Sequence, residues 1–270
     1  ISVYSILSVF VISVMLQQPN GVGLMLPAVA AVFLAWFVWL IATQCDSEER
    51  RKMTALFFLI VISTVFWSMF EQSGGSMTLF ADRATDLTLF GIELTAAQFG
   101  SANAIFIILL SPLFALMWPA LLSYNVEPST PAKFGLGIIQ VGLGFGALLI
   151  GLNNPDSAGL VSAWWLVLAY FLHTSAELCL SPIGLSAVTK LSIARYVGVM
   201  MGAWFLATAY GSYLASELAI FFSSIGGEDG RLNIIGFNAL FTELLVYGVG
   251  MGIAVLLVSP LVRRLMKNVR

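Results

Sequence analysis

Eight long apolar runs, separated by short polar breaks, account for most of the chain: residues 1–17, 24–43, 54–80, 96–122, 134–152, 161–189, 196–222 and 237–262. A bilayer core about 30 Å thick is crossed by about 20 apolar residues in a helix. Each run therefore predicts one membrane-spanning helix. The breaks carry turn chemistry, as in Gln18-Pro19-Asn20-Gly21, Glu127-Pro128-Ser129-Thr130-Pro131, Asn153-Asn154-Pro155-Asp156 and Gly226-Gly227-Glu228-Asp229-Gly230. The expected fold is all-α and polytopic.

The polar positions test this count. With the amino-terminal end of the segment inside, Arg50, Arg51, Lys52, Lys133, Lys190, Arg195, Arg263, Arg264, Lys267 and Arg270 share the cytoplasmic side, and only Arg83 and Arg231 fall outside. Cytoplasmic loops carry the excess of Lys and Arg, so the split supports eight spans with both ends of the segment inside. One span more or fewer would scramble it.

Composition agrees: 59% of the 270 residues are hydrophobic and 10% are charged, against roughly a quarter charged in soluble domains. Lipid is the expected solvent. Cys45 lies in a polar break and Cys179 in a span, which predicts two free thiols rather than a disulfide framework. No signal peptide is visible, and a chain opening on Ile1 within an apolar run reads as a piece of something longer.

Within the spans, Gly142/Gly146 and Gly248/Gly252 have the small-xxx-small spacing that lets helix backbones approach. Ionisable residues at this depth are costly and face a cavity or a partner. Glu177 falls at the midplane and Glu71 in the outer half, whereas Glu217 and Glu243 lie near external helix ends where water or headgroups solvate them. Trp67 shares a helix face with Glu71, and His173, Glu177 and Ser181 form an i, i+4, i+8 stripe. Pro182 predicts a kink beside Glu177, and broken helices at mid-membrane are where secondary transporters place their substrates. His173, the lone histidine, is either a packing residue or a tuner of Glu177. No metal-ligand spacing, nucleotide loop, Ser-His-Asp set or basic nucleic-acid patch occurs, so a non-enzyme without cofactor or nucleic-acid partner is expected.

The stretch Phe66-Trp67-Ser68-Met69-Phe70-Glu71-Gln72-Ser73-Gly74-Gly75-Ser76 resembles the seventh-helix motif of the proton-dependent oligopeptide transporters of the major facilitator superfamily. Glu177-Leu178-Cys179-Leu180-Ser181-Pro182-Ile183-Gly184-Leu185-Ser186 is similar to their tenth helix, Met200 to Leu206 to the start of the eleventh, and Asn103 to Pro112 to the eighth. The resemblance implies two extra linker helices over residues 1–53, then helices seven to twelve over 54–270, forming a carboxy-terminal six-helix bundle. The amino-terminal six-helix bundle is the missing partner, and the family's first-helix signature, Glu-x-x-Glu-Arg-Phe-x-Tyr-Tyr, does not occur.

By the same resemblance, the activity is proton-coupled symport of di- and tripeptides across a bacterial inner membrane, with the proton as coupling ion and lipid as surroundings. Glu177 would receive the peptide ammonium, with Ser181 lining the same pocket. Asn103 would bond the peptide backbone, while Trp67, Trp204 and Phe205 form apolar walls. Glu71 would pair with a first-helix arginine in an external gate. Family members often carry proline after the asparagine, where this chain has Ala104. Another small solute on the same fold, or a non-transporting scaffold, are the alternatives.

Overall fold

The computed structural model of the chain describes residues 19–223 and 234–266, together with Ser13. Ser13 apart, the predicted span 1–17 lies outside them. So do the loop Gly226 to Gly230 and the basic residues Arg231, Lys267 and Arg270. Among the described residues, seven helices are long and apolar enough to cross a membrane, one for each remaining predicted run.

The helices follow one another as α1 (Pro19–Thr43), α2 (Ser47–Phe70), α3 (Ser76–Ala84), α4 (Ala96–Gly100), α5 (Ala102–Ser123), α6 (Thr130–Leu152), α7 (Ala163–Leu191), α8 (Val197–Ser223) and α9 (Ile234–Leu265). A helix satisfies all its backbone groups internally, which is what a solvent without hydrogen bonds demands. The helix starts are written locally. Asp46 accepts from the backbone N–H groups of Glu48 and Glu49, both at 2.8 Å, and the Glu49 carboxylate accepts the Asp46 N–H at 3.2 Å. This reciprocal box opens α2. Arg50, one residue further, reaches back to the carbonyls of Ile41 and Ala42 at 3.2 Å each and closes the end of α1.

The packed centre is α6, set against α7 on one side and α9 on the other. The glycine spacing explains the second contact. A Cβ on Gly248 would lie 2.8 Å from the Gly142 Cα, and one on Gly252 would lie 2.7 Å from the Gly135 carbonyl oxygen. The α6 and α9 backbones thus touch without side chains between them. Around this seam Phe145 stacks on Phe241 with centroids 5.7 Å apart, and Phe80 of α3 meets Phe237 and Phe241 edge-on. α5 is the opposite case, with no fully buried residue. It leans mainly on α7.

Every lysine and arginine among the described residues except Arg83 belongs to the helix ends and turns around residues 41–52, 127–133, 190–196 and 263–264. The up-and-down order of the spans brings these to one end, as the charge pattern predicts. There Lys133 pairs with Glu127 at 2.5 Å and lies 4.2 Å over the Trp118 ring. The opposite end carries two short pairings absent from the sequence reading. Thr85–Asp86 (β1) pairs in parallel with Val161–Ser162 (β4), and Thr88–Leu89 (β2) forms a hairpin with Ile92–Glu93 (β3). The hairpin turn, Phe90-Gly91, has positive φ at both residues (51° and 77°), as a two-residue turn of the primed type requires.

Two measurements check this packing. Gly248→Ala should destabilise the protein by about 1–3 kcal/mol, because the new methyl meets backbone that cannot move aside. Gly250→Ala, with open space around it, should leave the unfolding midpoint in detergent nearly unchanged. The two N–H bonds hold the Asp46 carboxyl below its ordinary value, so its contribution to stability is present above the unfolded pKa and is lost as pH falls through the folded one. Acid thermal melts should therefore show a loss that Asp46→Asn makes less pH-dependent.

Candidate functional site

Glu177 stands at the centre of α7, with fourteen residues of that 29-residue helix on each side (163–176 and 178–191). Its carboxylate accepts the Asn103 side-chain N–H at 3.0 Å, and the same Asn103 amide donates to the Thr174 hydroxyl oxygen at 3.1 Å. Thr174, fully buried, donates in turn to the Tyr170 carbonyl at 2.8 Å. Asn103 reaches this point because of what precedes it. Thr95 and Gln98 cap the single turn of α4, which ends at Gly100, and α5 starts at Ala102. Asn103 thus sits in the first turn of α5 although Ala104, not proline, follows it. Two residues proposed from separate sequence stretches share one hydrogen bond.

Glu71 sits where the predicted single span breaks. α2 ends at Phe70, Glu71–Gly74 forms one 3-10 turn, and α3 begins at Ser76. The break is secured by Gln72, buried in the bundle, whose amide donates to the Ala215 carbonyl of α8 at 2.9 Å while its oxygen accepts the Ser76 hydroxyl at 2.6 Å. Tyr170 of α7 donates to the Ser73 carbonyl at 3.3 Å. Across from the break, the Ser212 hydroxyl of α8 donates to the Thr208 carbonyl at 3.2 Å. No lysine or arginine among the described residues pairs with Glu71 or Glu177. The sequence pattern predicts a kink at Pro182 but not this break. α7 stays helical through Pro182, which lies exposed beside half-buried Leu178 on a groove of ≈ 480 Å³ between α5 and α7.

His173 turns away from the predicted stripe. It is buried, its Nε2–H donates to the Val141 carbonyl of α6 at 3.1 Å, and its ring centroid lies 4.8 Å from that of Phe145. The carbonyl can only accept, which fixes this tautomer and leaves Nδ1 without a partner. A Cβ on Gly144 would fall 2.5 Å from the imidazole, so the missing side chain at 144 is the space the ring occupies. His173 makes no bond to Glu177; it holds α7 against α6, one turn above the carboxylate.

The three aromatic residues proposed as walls differ in position. Trp67 is buried between Phe66 and Phe70 with its indole N–H unpartnered. Trp204 is 2% exposed and packs where Gly184 leaves room: a Cβ there would lie 2.0 Å from the indole. Phe205 points outward at 61% exposure, and Ser181 is half-buried. A second polar cluster went unread in the sequence. Ser175 donates to Gln140 at 2.6 Å, and the Gln140 amide approaches the Cys179 sulfur at 3.6 Å. The signal available for it was a glutamine inside an apolar run. Both cysteines are free, and both are buried.

The PTR2 family model, described as the POT family, matches residues 20–232. The chain belongs to the POT family. "Peptide transporter YePEPT" of Yersinia enterocolitica is 36% identical over 250 residues, covering 91% of this chain and 47% of the relative. A "Di-/tripeptide transporter" of Lactococcus lactis is 32% identical over 255 residues, covering 92% and 48%. A crystal structure of "peptide transporter POT in complex with sulfate" superposes with a TM-score of 0.80 at 32% identity, over 99% of this chain and 54% of that one. The chain spans about half the length of the curated relatives it matches. It is an all-α, multi-pass membrane protein of this POT fold.

Asn103 is the one polar tie observed between α5 and the Glu177 carboxylate. Asn103→Ala should lower stability by about 1–3 kcal/mol, since Glu177 then loses a charge-assisted partner. A thermal melt in detergent that matches wild type would show that the bond contributes nothing net.

Proposed function

We propose that this chain supplies one side of the substrate site of a proton-coupled di- and tripeptide symporter. α1 is then the second of two linker helices, and residues 54–270 form the carboxy-terminal bundle. The observation that carries the reading is a carboxylate at the centre of a membrane-spanning helix, oriented by Asn103 and paired with no cation among the described residues. A charge at that depth is retained for a partner or a cargo. A peptide ammonium suits Glu177, because a charge-assisted bond in a low-dielectric site is strong and tolerant of side-chain identity. Ser181 and the exposed ring of Phe205 line this side of the pocket, while Trp67 and Trp204, buried as they stand, back it from within the bundle. The relatives named as peptide and di-/tripeptide transporters support the same cargo.

Glu71, at the break after α2 and in no ion pair among the described residues, serves as a gate carboxylate. It takes a cationic partner from an amino-terminal six-helix bundle in the closed state and is released when it accepts the coupling proton. The two bundles rock about the midplane site, exposing it alternately. The basic end faces the cytoplasm of a bacterium, with the protein in the inner membrane.

The test is dialanine uptake by cells carrying the full-length protein of which this bundle is part. Glu177→Gln keeps the shape and the Asn103 contact but removes the charge. Losing one charge-assisted bond to the ammonium should weaken peptide binding about tenfold or more. Uptake at wild-type affinity in the variant would remove Glu177 from the substrate site.

A further inference from the structure

α1 is attached to the bundle unevenly. Leu24, Val29 and Val32 are exposed along its first half, whereas Phe37 and Leu40 near its end are fully buried, with Phe37 5.3 Å from Phe57 of α2. Past that buried end two arginines from different elements hold neighbouring carbonyls. Arg50 takes those of Ile41 and Ala42, and Arg195 donates through Nη2 to that of Gln44 at 2.8 Å. Arg195 belongs to the turn Ala194–Tyr196 that joins α7 to α8. Its guanidinium lies 5.1 Å over the Tyr196 ring, and that ring meets Trp36 of α1 edge-on at 5.9 Å.

Two ties of different chemistry therefore run from α1 to one short turn. That turn connects the helix bearing Glu177 to the helix bearing Trp204. Because the Trp204 indole fills the space at Gly184, α7 and α8 are interlocked close to the turn, and a force applied there reaches both helices. Arg195 itself is exposed. Its bond to Gln44 can be exchanged for water at small cost, which suits a contact that forms in one conformation and opens in another.

We propose that Arg195 is a positioning residue through which α1 sets the tilt of the α7–α8 pair, and thereby the rate at which the Glu177 site changes its accessibility. The inference rests on the transport reading for its functional consequence; the coupling itself does not. Planar donor geometry and the cation–π contact make arginine hard to replace here by lysine without partial loss.

The experiment combines hydrogen exchange with uptake on the full-length protein in nanodiscs and proteoliposomes, using Arg195→Ala, Arg195→Lys and Trp36→Ala. Loss of one charge-assisted bond should speed exchange of the amides in the 192–197 turn about fivefold in Arg195→Ala, with Arg195→Lys between it and wild type. The maximal rate of dialanine uptake should change about fivefold while its dissociation constant moves less than about twofold, as expected when a conformational step is altered and the site is not. Trp36→Ala breaks the second tie without touching Arg195, so a folding failure of one variant leaves the other to decide. Unchanged exchange in a folded variant overturns the proposal. So does a rate that falls together with affinity and unfolding midpoint, since that marks a purely structural role. If wild-type protein takes up no dialanine, the transport reading fails, and the exchange measurement still decides whether α1 holds the turn.

Discussion

The hydrogen bond between Asn103 and Glu177 is the interaction around which the candidate site is arranged. In hydrocarbon no water can complete a polar group's bonds, so a carboxylate at the centre of a membrane helix must be oriented by the protein. Asn103 does this from a helix with no fully buried residue of its own. The bond thus works in both directions: it aims Glu177, and it fixes where α5 rests along α7. The Thr174 and Tyr170 contacts behind it extend the same chain of donors into the packed interior.

The rest of the bundle supplies rigidity from elements that need no polar chemistry. Glycines at 135, 142, 248 and 252 let α6 and α9 touch backbone to backbone, and the phenylalanines beside them fill the remaining space. Polar side chains then appear where the backbone departs from regular helix. Tyr170 bonds the Ser73 carbonyl at the break after Phe70, and Gln72, braced by Ser76, ties the break to the Ala215 carbonyl of α8. The break is consequently held in place from two neighbouring helices, α7 and α8, rather than left to local glycine freedom at Gly74 and Gly75.

Much of this was readable in the linear chain. Apolar run length and the distribution of lysine and arginine located the seven described spans and the basic end, because membrane thickness and charge asymmetry act on composition alone. Burial depth singled out Glu177 and Glu71 for the same reason. Side-chain neighbours were harder. Helical periodicity put His173 and Glu177 on one stripe, yet His173 turns to the Val141 carbonyl because Gly144 on another helix leaves a space for its ring. Such a space is invisible until two helices are placed together. The break at Glu71–Gly74 went unread inside the run 54–80, since its anchor is a buried glutamine whose partner, Ala215, is far away in sequence. The Phe90-Gly91 hairpin was missed because four strand residues make no periodic pattern.

The fit between Gly144 and His173 bears on how this protein can change over generations. Any side chain added at 144 collides with the imidazole, and any residue much smaller than histidine at 173 leaves a void against a bare stretch of α6. Neither position can drift freely while the other stays as it is. A lineage that altered one would first have to pass through a less stable intermediate, or acquire both substitutions together. Although 29 residues apart in the chain (173 − 144), they would be inherited as one trait.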